Sequence, residues 1–302
     1  MELLKELIEI TDNNRAFQNE PMSKHTTFRV GGNADYYVSV KNEEEAVSVV
    51  RLLLANRIKY YFIGNGSNLL VSDDGFRGCI IEIGKDFSNV TINGNVITAE
   101  AGALIVKVAR DAYNNSLTGL EFASGIPGTV GGAVCMDAGA YGGEIKDVVK
   151  SVRLFNPETG EILEKTVDEM NFSYRHSICK EKPFIVLSAT FELKEGNKDD
   201  IKAVMDELRE KRTTKQPLEY PSAGSTFKRP AGYFAGKLIE DAGLKGYTVG
   251  GAQVSEKHSG FVINKGDATA IDVMTLINNV RDIVKEKFDV VLEPEVCMIG
   301  EF

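Results

Sequence analysis

A segment rich in glycine and alanine is the feature of this sequence that most restricts its fold. Residues 124–141 read SGIPGTVGGAVCMDAGAY. Glycine allows positive φ and lets another molecule approach the backbone closely, and Pro127 fixes one φ within the segment. The glycines that open it are Gly125, Gly128, Gly131 and Gly132. The segment therefore predicts a loop whose main-chain N–H groups face a bulky anionic ligand.

A second loop has the same character. Residues 64–68 read GNGSN and lie between the apolar runs 60–63 and 69–71, so they join two predicted strands. Backbone N–H groups in such loops bind phosphate, and two of them predict a diphosphate held at two points. A tight turn is the alternative for either loop alone. Neither loop has the pattern of a P-loop or of a Rossmann dinucleotide site, so the predicted cradle is of another kind.

Composition restricts the class of protein. The chain has 302 residues, which predicts two or three domains. Its net charge of -9 excludes a nucleic-acid surface and an anionic membrane as partners. Residues 1–10 mix charges with Leu and Ile, which predicts a surface helix instead of a signal peptide. No apolar run approaches the roughly 20 residues of a membrane span, so we expect a cytoplasmic protein.

Cysteine and histidine spacing predicts no metal site. The cysteines form no C-x-x-C pair, and the histidines form no H-E-x-x-H motif. Buried thiols are therefore expected. The residues concerned are Cys79, Cys135, Cys179, Cys297, His25, His176 and His258.

Hydrophobic periodicity predicts an α+β protein. Helices are expected over 1–10, 43–57, 103–115, 199–212, 233–242 and 269–288. Strands are expected over 36–40, 60–63, 69–71, 79–83, 90–92, 96–99, 148–155, 185–193, 259–263 and 290–299. The loop 213–221 contains Pro217 and Pro221 and is the predicted domain boundary. The first domain then covers 1–212, with a subdomain boundary near 80, and the second covers 213–302, with its last strand returning to the first.

Several motifs together resemble one family. They are HTTFRVGG at 25–32, GNGSN at 64–68, GIPGTVGG at 125–132, SYR at 173–175, AGSTFK at 223–228, GGAQVSEKHSGFVIN at 250–264 and LEPEV at 292–296. In this order, and over nearly the whole chain, they resemble the UDP-N-acetylenolpyruvoylglucosamine reductase (MurB) family. The resemblance implies an FAD-binding domain of the vanillyl-alcohol-oxidase (PCMH) type and a smaller C-terminal α+β substrate-binding domain.

The resemblance also implies an activity. Members of the family use NADPH and bound FAD to reduce UDP-N-acetylglucosamine enolpyruvate to UDP-N-acetylmuramate, in peptidoglycan precursor synthesis. We therefore expect FAD as cofactor, NADPH as hydride donor, a small-molecule substrate and a monomer. Two alternatives stay open at this point: an FAD-dependent oxidoreductase of the same fold with another substrate, and a non-catalytic nucleotide-binding module.

Binding residues follow from the same motifs. Those implied for FAD are Gly64, Asn65, Gly66, Ser67, Asn68, Leu69, Ser124, Gly125, Ile126, Pro127, Gly128, Thr129, Gly131, Gly132 and Ala133. Those implied for the substrate are Tyr174, Arg212, Lys215, Arg229, Gln253, His258 and Asn264. Lys211 and Arg212, close to Lys215, are equally explained as cations at a helix C-terminus.

Three residues are implied in catalysis. Hydride addition to the enolpyruvyl group leaves an enolate beside a carboxylate, and Arg175 is suited to grip that carboxylate with two hydrogen bonds. Glu295 matches the family's catalytic glutamate, either protonated and donating a hydrogen bond to the charge or paired with Arg175. Ser225 matches the proton donor. The structural alternatives are a surface ion pair for Arg175, an edge-strand carboxylate for Glu295 and a turn or helix cap for Ser225.

One departure assigns a branch of the family. A longer branch carries a tyrosine on a loop that follows the SYR motif, but residues 176–196 contain no tyrosine. The chain thus resembles the shorter, type II branch. Arg229 stands where the longer branch has an asparagine, so the phosphate contacts of that branch are not transferred to this chain.

Overall fold

The helices of the protein follow the periodic segments of the sequence. The computed structural model describes residues 2–302. Its α-helices are α1 (Glu2–Ile10), α2 (Glu43–Ala55), α3 (Ile105–Asn114), α4 (Val130–Cys135), α5 (Lys198–Lys215), α6 (Ala235–Asp241) and α7 (Ala270–Phe288). All six predicted helices are confirmed; the start predicted for the first, at residue 1, lies outside the described residues. The short helix α4, within the glycine-rich segment, was not predicted.

The strands are short and more numerous than predicted. They are β1 (Ala16–Pro21), β2 (Asn33–Val40), β3 (Tyr60–Ile63), β4 (Leu69–Val71), β5 (Phe76–Ile83), β6 (Val90–Asn93), β7 (Val96–Glu100), β8 (Leu117–Thr118), β9 (Gly139–Ala140), β10 (Gly143–Glu144), β11 (Val149–Asn156), β12 (Glu161–Thr166), β13 (Ile185–Glu192), β14 (Lys194–Glu195), β15 (Ser222–Ser225), β16 (Thr248–Val249), β17 (Ala252–Val254), β18 (Phe261–Asn264) and β19 (Cys297–Ile299). Short 3-10 helices cover Met22–Lys24, Glu121–Gly125, Ile145–Asp147, Asp168–Met170 and Ile178–Lys180.

Several predicted boundaries differ from the structure, and two of them concern segments that carry predicted site residues. The loop predicted to begin at Thr213 begins later, because α5 continues to Lys215. The strand predicted over 290–299 is confined to Cys297–Ile299. Pro294, which has no N–H to donate, makes only an isolated bridge with Phe227, so the LEPEV segment does not extend that strand.

The chain forms two compact units. Unit 1 comprises residues 1–18, 36–65 and 78–211, and unit 2 comprises residues 19–35, 66–77 and 212–302. The passage from unit 1 to unit 2 after Lys211 adjoins the boundary predicted at 212. The subdomain boundary predicted near 80 falls inside β5. The two short segments that unit 2 takes from the first third of the chain were not predicted.

Unit 1 is built on an antiparallel sheet. Its five strands run in the order β12-β11-β13-β7-β6. The buried residues Val152, Ala189 and Ala99 lie side by side across three of these strands. Helix α4 packs on β13 and β7, and α3 packs on β7. A further sheet has the order β1-β2-β5-β3, with β3 and β5 parallel. The glycine-rich loop that precedes α4 is therefore fixed to a sheet through that helix.

Unit 2 has its own hydrophobic core. Its sheet has the order β15-β18-β17-β16, and α6 and α7 supply much of the apolar surface against which it packs. Helix α7 begins with a capping box in which Thr269 and Asp272 satisfy each other's main-chain N–H groups. The core also takes Phe28, Val30 and Leu70 from the two early segments. Residues 213–302 thus have the predicted α+β character.

Candidate active site

Helix α4 fixes the second half of the predicted flavin loop in unit 1. Thr129 caps the helix, and its Oγ1 accepts the N–H of Gly132 at 3.4 Å. The N–H groups of Val130 and Gly131 donate to the carbonyls of Ala103 and Ala101, each at 2.8 Å. The first turn of the helix is therefore held from both sides, and Gly132 is left on the exposed surface.

Unit 1 brings the two predicted loops together. The Asn65 side chain donates from Nδ2 to the carbonyl of Pro127 at 2.6 Å. Gly64 approaches Thr129 so closely that a Cβ at residue 64 would overlap its Oγ1. These contacts explain why the sequence has glycine at 64 and an amide side chain at 65. The sequence predicted both loops but not the bond between them.

The loops also retain unbonded main-chain donors. Within residues 2–302, the N–H groups of Asn65, Gly128 and Thr129 donate no hydrogen bond to another group of the protein. Gly128 is half-buried and Thr129 is buried, and N–H groups in such places are normally satisfied, so these two donors fit an anionic ligand. A Cβ added to Gly132 would meet nothing in the protein closer than Thr129 Oγ1 at 3.7 Å. The site thus fits a diphosphate lying against the N-terminus of α4.

The remaining residues of the first loop belong to unit 2. Gly66 accepts the N–H of Thr27 on its carbonyl at 3.2 Å, and a Cβ at residue 66 would overlap the carbonyl of His25. Asn68 donates from Nδ2 to the carbonyl of Glu295 at 3.1 Å. The main chain of Asn68 also accepts the N–H of Cys297 at 2.9 Å, just before β4 begins at Leu69. A predicted flavin residue and a predicted catalytic residue are thereby neighbours.

Arg175 lies at a tight turn of unit 1. Ser173 and His176 exchange both of their main-chain hydrogen bonds, at 3.1 and 2.8 Å, so Tyr174 and Arg175 form a two-residue turn. Arg175 has a φ of 59°, in the left-handed region. Its guanidinium lies 4.9 Å from the ring of Tyr174. The turn fixes the direction of the arginine side chain.

Two backbone carbonyls of the glycine-rich segment accept hydrogen bonds from that guanidinium. Nη2 of Arg175 donates to the carbonyl of Gly139 at 3.1 Å, and Nη1 donates to that of Asp137 at 3.5 Å. Both of these acceptors are main-chain carbonyls of the glycine-rich segment. The sequence did not identify Asp137, although the segment that carries it was prominent.

The segments that carry Ser225 and Glu295 pair with each other in unit 2. The N–H of Glu295 donates to the carbonyl of Thr226 at 2.8 Å, and the N–H of Lys228 donates to that of Glu293 at 2.8 Å. The AGSTFK and LEPEV motifs, distant in sequence, therefore run antiparallel. Ser225 ends β15 on the exposed surface, whereas the next residue, Thr226, is fully buried. Glu293 pairs with Lys228 at 3.2 Å, which separates its role from that of Glu295.

The predicted substrate residues of unit 2 have different surroundings. Arg212 and Lys215 lie in the last turn of α5. His258 accepts the N–H of Gly260 on Nδ1 at 3.1 Å and contacts the ring of Phe261. Burial is the largest cause that lowers the pKa of His258, and the positive charges of Lys245 and Lys215 act in the same direction. A neutral imidazole is therefore expected near pH 7.

Two amide residues on the same sheet differ in how their side chains are used. Both polar atoms of the Asn264 side chain are used: its Oδ1 accepts from the N–H groups of Gly266 and Ala268, and its Nδ2 donates to the carbonyl of Phe28. Gln253 donates from Nε2 to Thr248, but its buried Oε1 has no hydrogen-bond partner among the described residues. Asn264 therefore shapes the loop after β18, whereas Gln253 retains an acceptor. Arg229 stacks on Phe234 at 3.9 Å.

Two thiols also lie in contact in unit 1. A hydrogen bond with the Cys135 thiol is the largest cause that lowers the pKa of Cys179, and burial opposes it. By contrast, burial raises the pKa of Cys79 to about 12. No group of three His, Cys, Asp or Glu residues within residues 2–302 is arranged to hold a metal ion. None of the helices in this part of the chain has both the length and the apolar character of a membrane span.

Comparison with known proteins identifies the two parts of the chain. The model of the FAD binding domain family matches residues 34–166. A second family model, UDP-N-acetylenolpyruvoylglucosamine reductase, C-terminal domain, matches residues 216–299. The α+β fold and the flavin-binding match define an FAD-dependent oxidoreductase.

Full-length relatives assign the family. The UDP-N-acetylenolpyruvoylglucosamine reductase of Agathobacter rectalis is 57% identical, with 94% of each chain covered. That of Lachnoclostridium phytofermentans is 54% identical, with 99% of this chain and 97% of the relative covered. The crystal structure of UDP-N-acetylenolpyruvylglucosamine reductase (MurB) from Thermus caldophilus has a TM-score of 0.80 at 35% identity, covering 94% of this chain and 98% of that one. The chain belongs to the UDP-N-acetylenolpyruvoylglucosamine reductase family.

Proposed function

We propose that the protein reduces UDP-N-acetylglucosamine enolpyruvate to UDP-N-acetylmuramate, with NADPH as the hydride donor, as a cytoplasmic monomer in peptidoglycan precursor synthesis. The observation that carries the proposal is the antiparallel pairing of the AGSTFK and LEPEV motifs, in which the N–H of Glu295 donates to the carbonyl of Thr226 at 2.8 Å. This pairing brings together the two segments that carry the hydroxyl of Ser225 and the carboxyl of Glu295, the groups that a reaction forming and then protonating an enolate requires.

The residues that hold FAD in this proposal are those of the two loops. Unbonded N–H groups at Asn65, Gly128 and Thr129, together with the N-terminus of α4, meet the diphosphate. Bound FAD supplies the hydride that adds to the terminal carbon of the enolpyruvyl group. The exposed face of Gly132 leaves room for the cofactor, since no atom of the protein lies where a Cβ would be.

Side chains of the protein then stabilise the negative charge of the enolate and supply the proton that completes the reaction. Arg175, held against two carbonyls, meets the substrate carboxylate with a fixed guanidinium, which stabilises the enolate. Glu295 donates a hydrogen bond to the same developing charge. Ser225 delivers a proton to the carbon that bears the carboxylate, and the exposed end of β15 gives its hydroxyl access to that carbon. Arg212, Lys215 and Arg229 supply positive charge for the substrate diphosphate.

Spectroscopy of the purified protein tests the proposal directly. The protein should be yellow, NADPH should bleach the visible flavin absorbance, and UDP-N-acetylglucosamine enolpyruvate should restore it while UDP-N-acetylmuramate appears by mass spectrometry. Bleaching without reoxidation by this substrate would favour a flavin oxidoreductase with another substrate. Flavin that NADPH does not reduce would favour a binding module.

A further inference from the structure

Asp137 is a buried carboxylate to which the proposed reaction assigns no role. It is fully buried, at 0% exposure. Its Oδ1 accepts the main-chain N–H of Lys146 at 3.0 Å, and its Oδ2 lies 3.4 Å from Lys146 Nζ. Within the described residues, Oδ2 accepts no hydrogen bond. A carboxylate with incomplete pairing in the interior costs free energy, so its presence here needs an explanation other than stability.

The main chain of Asp137 has an uncommon conformation. Its φ is 40°, in the left-handed region that aspartate tolerates better than most residues. In this conformation the carbonyl of Asp137 accepts Nη1 of Arg175 at 3.5 Å. One residue therefore binds Lys146 through its side chain and Arg175 through its backbone.

The chain segment opposite holds this conformation. Lys146 lies in the 3-10 helix Ile145–Asp147, and its ammonium also pairs with the carboxylate of Glu144. The N–H of Ile145 donates to the carbonyl of Ala138 at 3.1 Å, and Glu144 pairs with Gly139 across β9 and β10. Residues 137–139 are thus fixed on one side by residues 144–146 and carry Arg175 on the other.

Charge supports the same arrangement. Burial raises the pKa of Asp137, while the main-chain N–H and the charge of Lys146 oppose that rise. A hydrogen bond to Glu144 is the largest cause that raises the pKa of Lys146. Lys146 therefore stays charged at neutral pH and keeps a favourable partner for the Asp137 carboxylate.

We propose that Asp137 is a positioning residue for Arg175. Its carboxylate, bound to the Lys146 N–H, holds the left-handed main chain that presents the carbonyls of Asp137 and Gly139 to the guanidinium. Arg175 is then oriented before the substrate carboxylate arrives, so little reorganisation is needed in the reaction. This inference rests on the proposed function of Arg175.

Two substitutions separate the carboxylate from the backbone conformation. Asp137→Gly accepts the left-handed φ without strain but removes the side chain that binds Lys146. Asp137→Asn keeps an oxygen acceptor for the Lys146 N–H and tolerates the same φ. We expect kcat with UDP-N-acetylglucosamine enolpyruvate to fall roughly 10- to 100-fold in Asp137→Gly, because a small displacement of Arg175 suffices for such a loss. Asp137→Asn should retain most of the wild-type kcat.

Reduction of the bound flavin by NADPH, measured by rapid mixing, should be unchanged in both variants, because that step does not involve the substrate carboxylate. A double variant adds a second readout. If Asp137 acts through Arg175, then Arg175→Lys combined with Asp137→Gly should be no slower than Arg175→Lys alone. A merely structural role would instead lower the melting temperature and flavin content together with both half-reactions. If Asp137→Gly does not fold, Asp137→Asn keeps the inference testable, because a roughly 10- to 100-fold loss of kcat in that variant would contradict it.

The outcomes separate this inference from the proposed function. A wild-type kcat in folded Asp137→Gly, or losses that multiply in the double variant, would overturn the role of Asp137 while Arg175→Lys remains impaired. The proposed function would instead be contradicted if NADPH reduced the wild-type protein but the protein did not convert the enolpyruvyl substrate.

Discussion

Asn65 donates from its side-chain amide to the carbonyl of Pro127 at 2.6 Å, and this bond joins the two glycine-containing loops of unit 1. The bond holds against each other the two loops that carry the unbonded N–H groups. The position of each loop therefore depends on the other, and a change at residue 65 should alter flavin affinity without touching the fold of the sheet.

Asn65→Ala should weaken flavin binding about 3- to 10-fold, since one net hydrogen bond contributes roughly 1 kcal/mol. The measurement is flavin release on dilution, followed by fluorescence. Asn95→Ala is a matched control, because Asn95 also donates its amide to a carbonyl, that of Leu193, at 2.8 Å. The control should lose stability but keep its flavin; equal flavin retention in both variants would contradict the role of Asn65.

Gly132→Ala should raise the folding stability of the apoprotein and lower its flavin occupancy. Alanine in a helix is favoured over glycine by about 1 kcal/mol, and the protein leaves room for the added Cβ, with 3.7 Å to Thr129 Oγ1. The flavin should nevertheless be crowded on the exposed side of α4. Thermal unfolding of the apoprotein and flavin content after purification check this.

Gly131→Ala is the contrasting variant to Gly132→Ala. Its Cβ would lie 3.1 Å from Ala101 Cβ, inside the protein, so its effect should appear first in stability. Full flavin occupancy in Gly132→Ala would show that the cofactor does not approach that face of the helix.

Arg175→Lys should lower kcat by about 100-fold at saturating enolpyruvyl substrate. Lysine keeps the positive charge but has a single ammonium, which cannot reach the carbonyls of Asp137 and Gly139 and a carboxylate in one plane. Steady-state kinetics measure the loss, and flavin reduction by NADPH serves as the internal control. Unchanged turnover would mean that Arg175 has only a structural role.

Ser225→Ala should separate the two half-reactions. NADPH should reduce the flavin at the wild-type rate, whereas product formation from the pre-reduced protein should fall roughly 10²- to 10⁴-fold, as expected for loss of a positioned acid. Ser222→Ala, at the other end of the same strand, is the matched control and should react normally. Product formed at the wild-type rate by Ser225→Ala would assign the proton to another group.

Glu45→Gln should reduce the loss of folding stability that accompanies acidification. Glu45 is buried, with 8% of its side chain exposed, and pairs with Arg15 at 2.6 Å. Burial alone would raise the pKa of Glu45, but the hydrogen bonds from Arg15 and Lys41 together outweigh it, so the pKa is lowered below 4.5. The stabilisation is therefore present above pH 4.5 and is lost as pH falls through the lowered value.

Denaturant unfolding of the wild type and Glu45→Gln at neutral and acid pH measures this difference. The variant should be less stable at pH 7 by about 3 kcal/mol, as for other broken buried pairs, and should lose less on acidification. Parallel pH profiles for the two proteins would show that Glu45 is not a source of acid sensitivity.

Periodicity predicted α2, α3, α6 and α7 well because each of them buries three or more apolar residues, whereas α5 buries only Ile201. It placed the end of α5 too early, because charged residues such as Lys215 continue a helix as readily as they begin a loop. The LEPEV segment was predicted as a strand from its apolar residues, yet Pro294 interrupts the pairing there. Such ends depend on partners distant in sequence, which periodicity does not contain.

The candidate site, like the fold, could be predicted from the sequence only in part. Glycine density marked both flavin loops, and motif resemblance marked Arg175, Ser225 and Glu295. The bond from Asn65 to Pro127 and the support of Arg175 by Asp137 arise only when separate segments meet. The sequence indicates Asp137 only as an aspartate within a glycine-rich run, where a left-handed φ is common. It does not indicate that Asp137 contacts Arg175.

Because unit 2 combines early and late segments of the chain, its core cannot be completed until synthesis is nearly finished. Phe28, Val30 and Leu70 leave the ribosome early, but the residues that cover them in the core, such as Val280 and Leu292, are near the end of the chain. At typical synthesis rates of about 5–20 residues per second, these apolar side chains stay uncovered for roughly ten seconds to a minute. In a nascent chain, residues 19–35 and 66–77 should therefore depend on chaperones to shield them until translation ends.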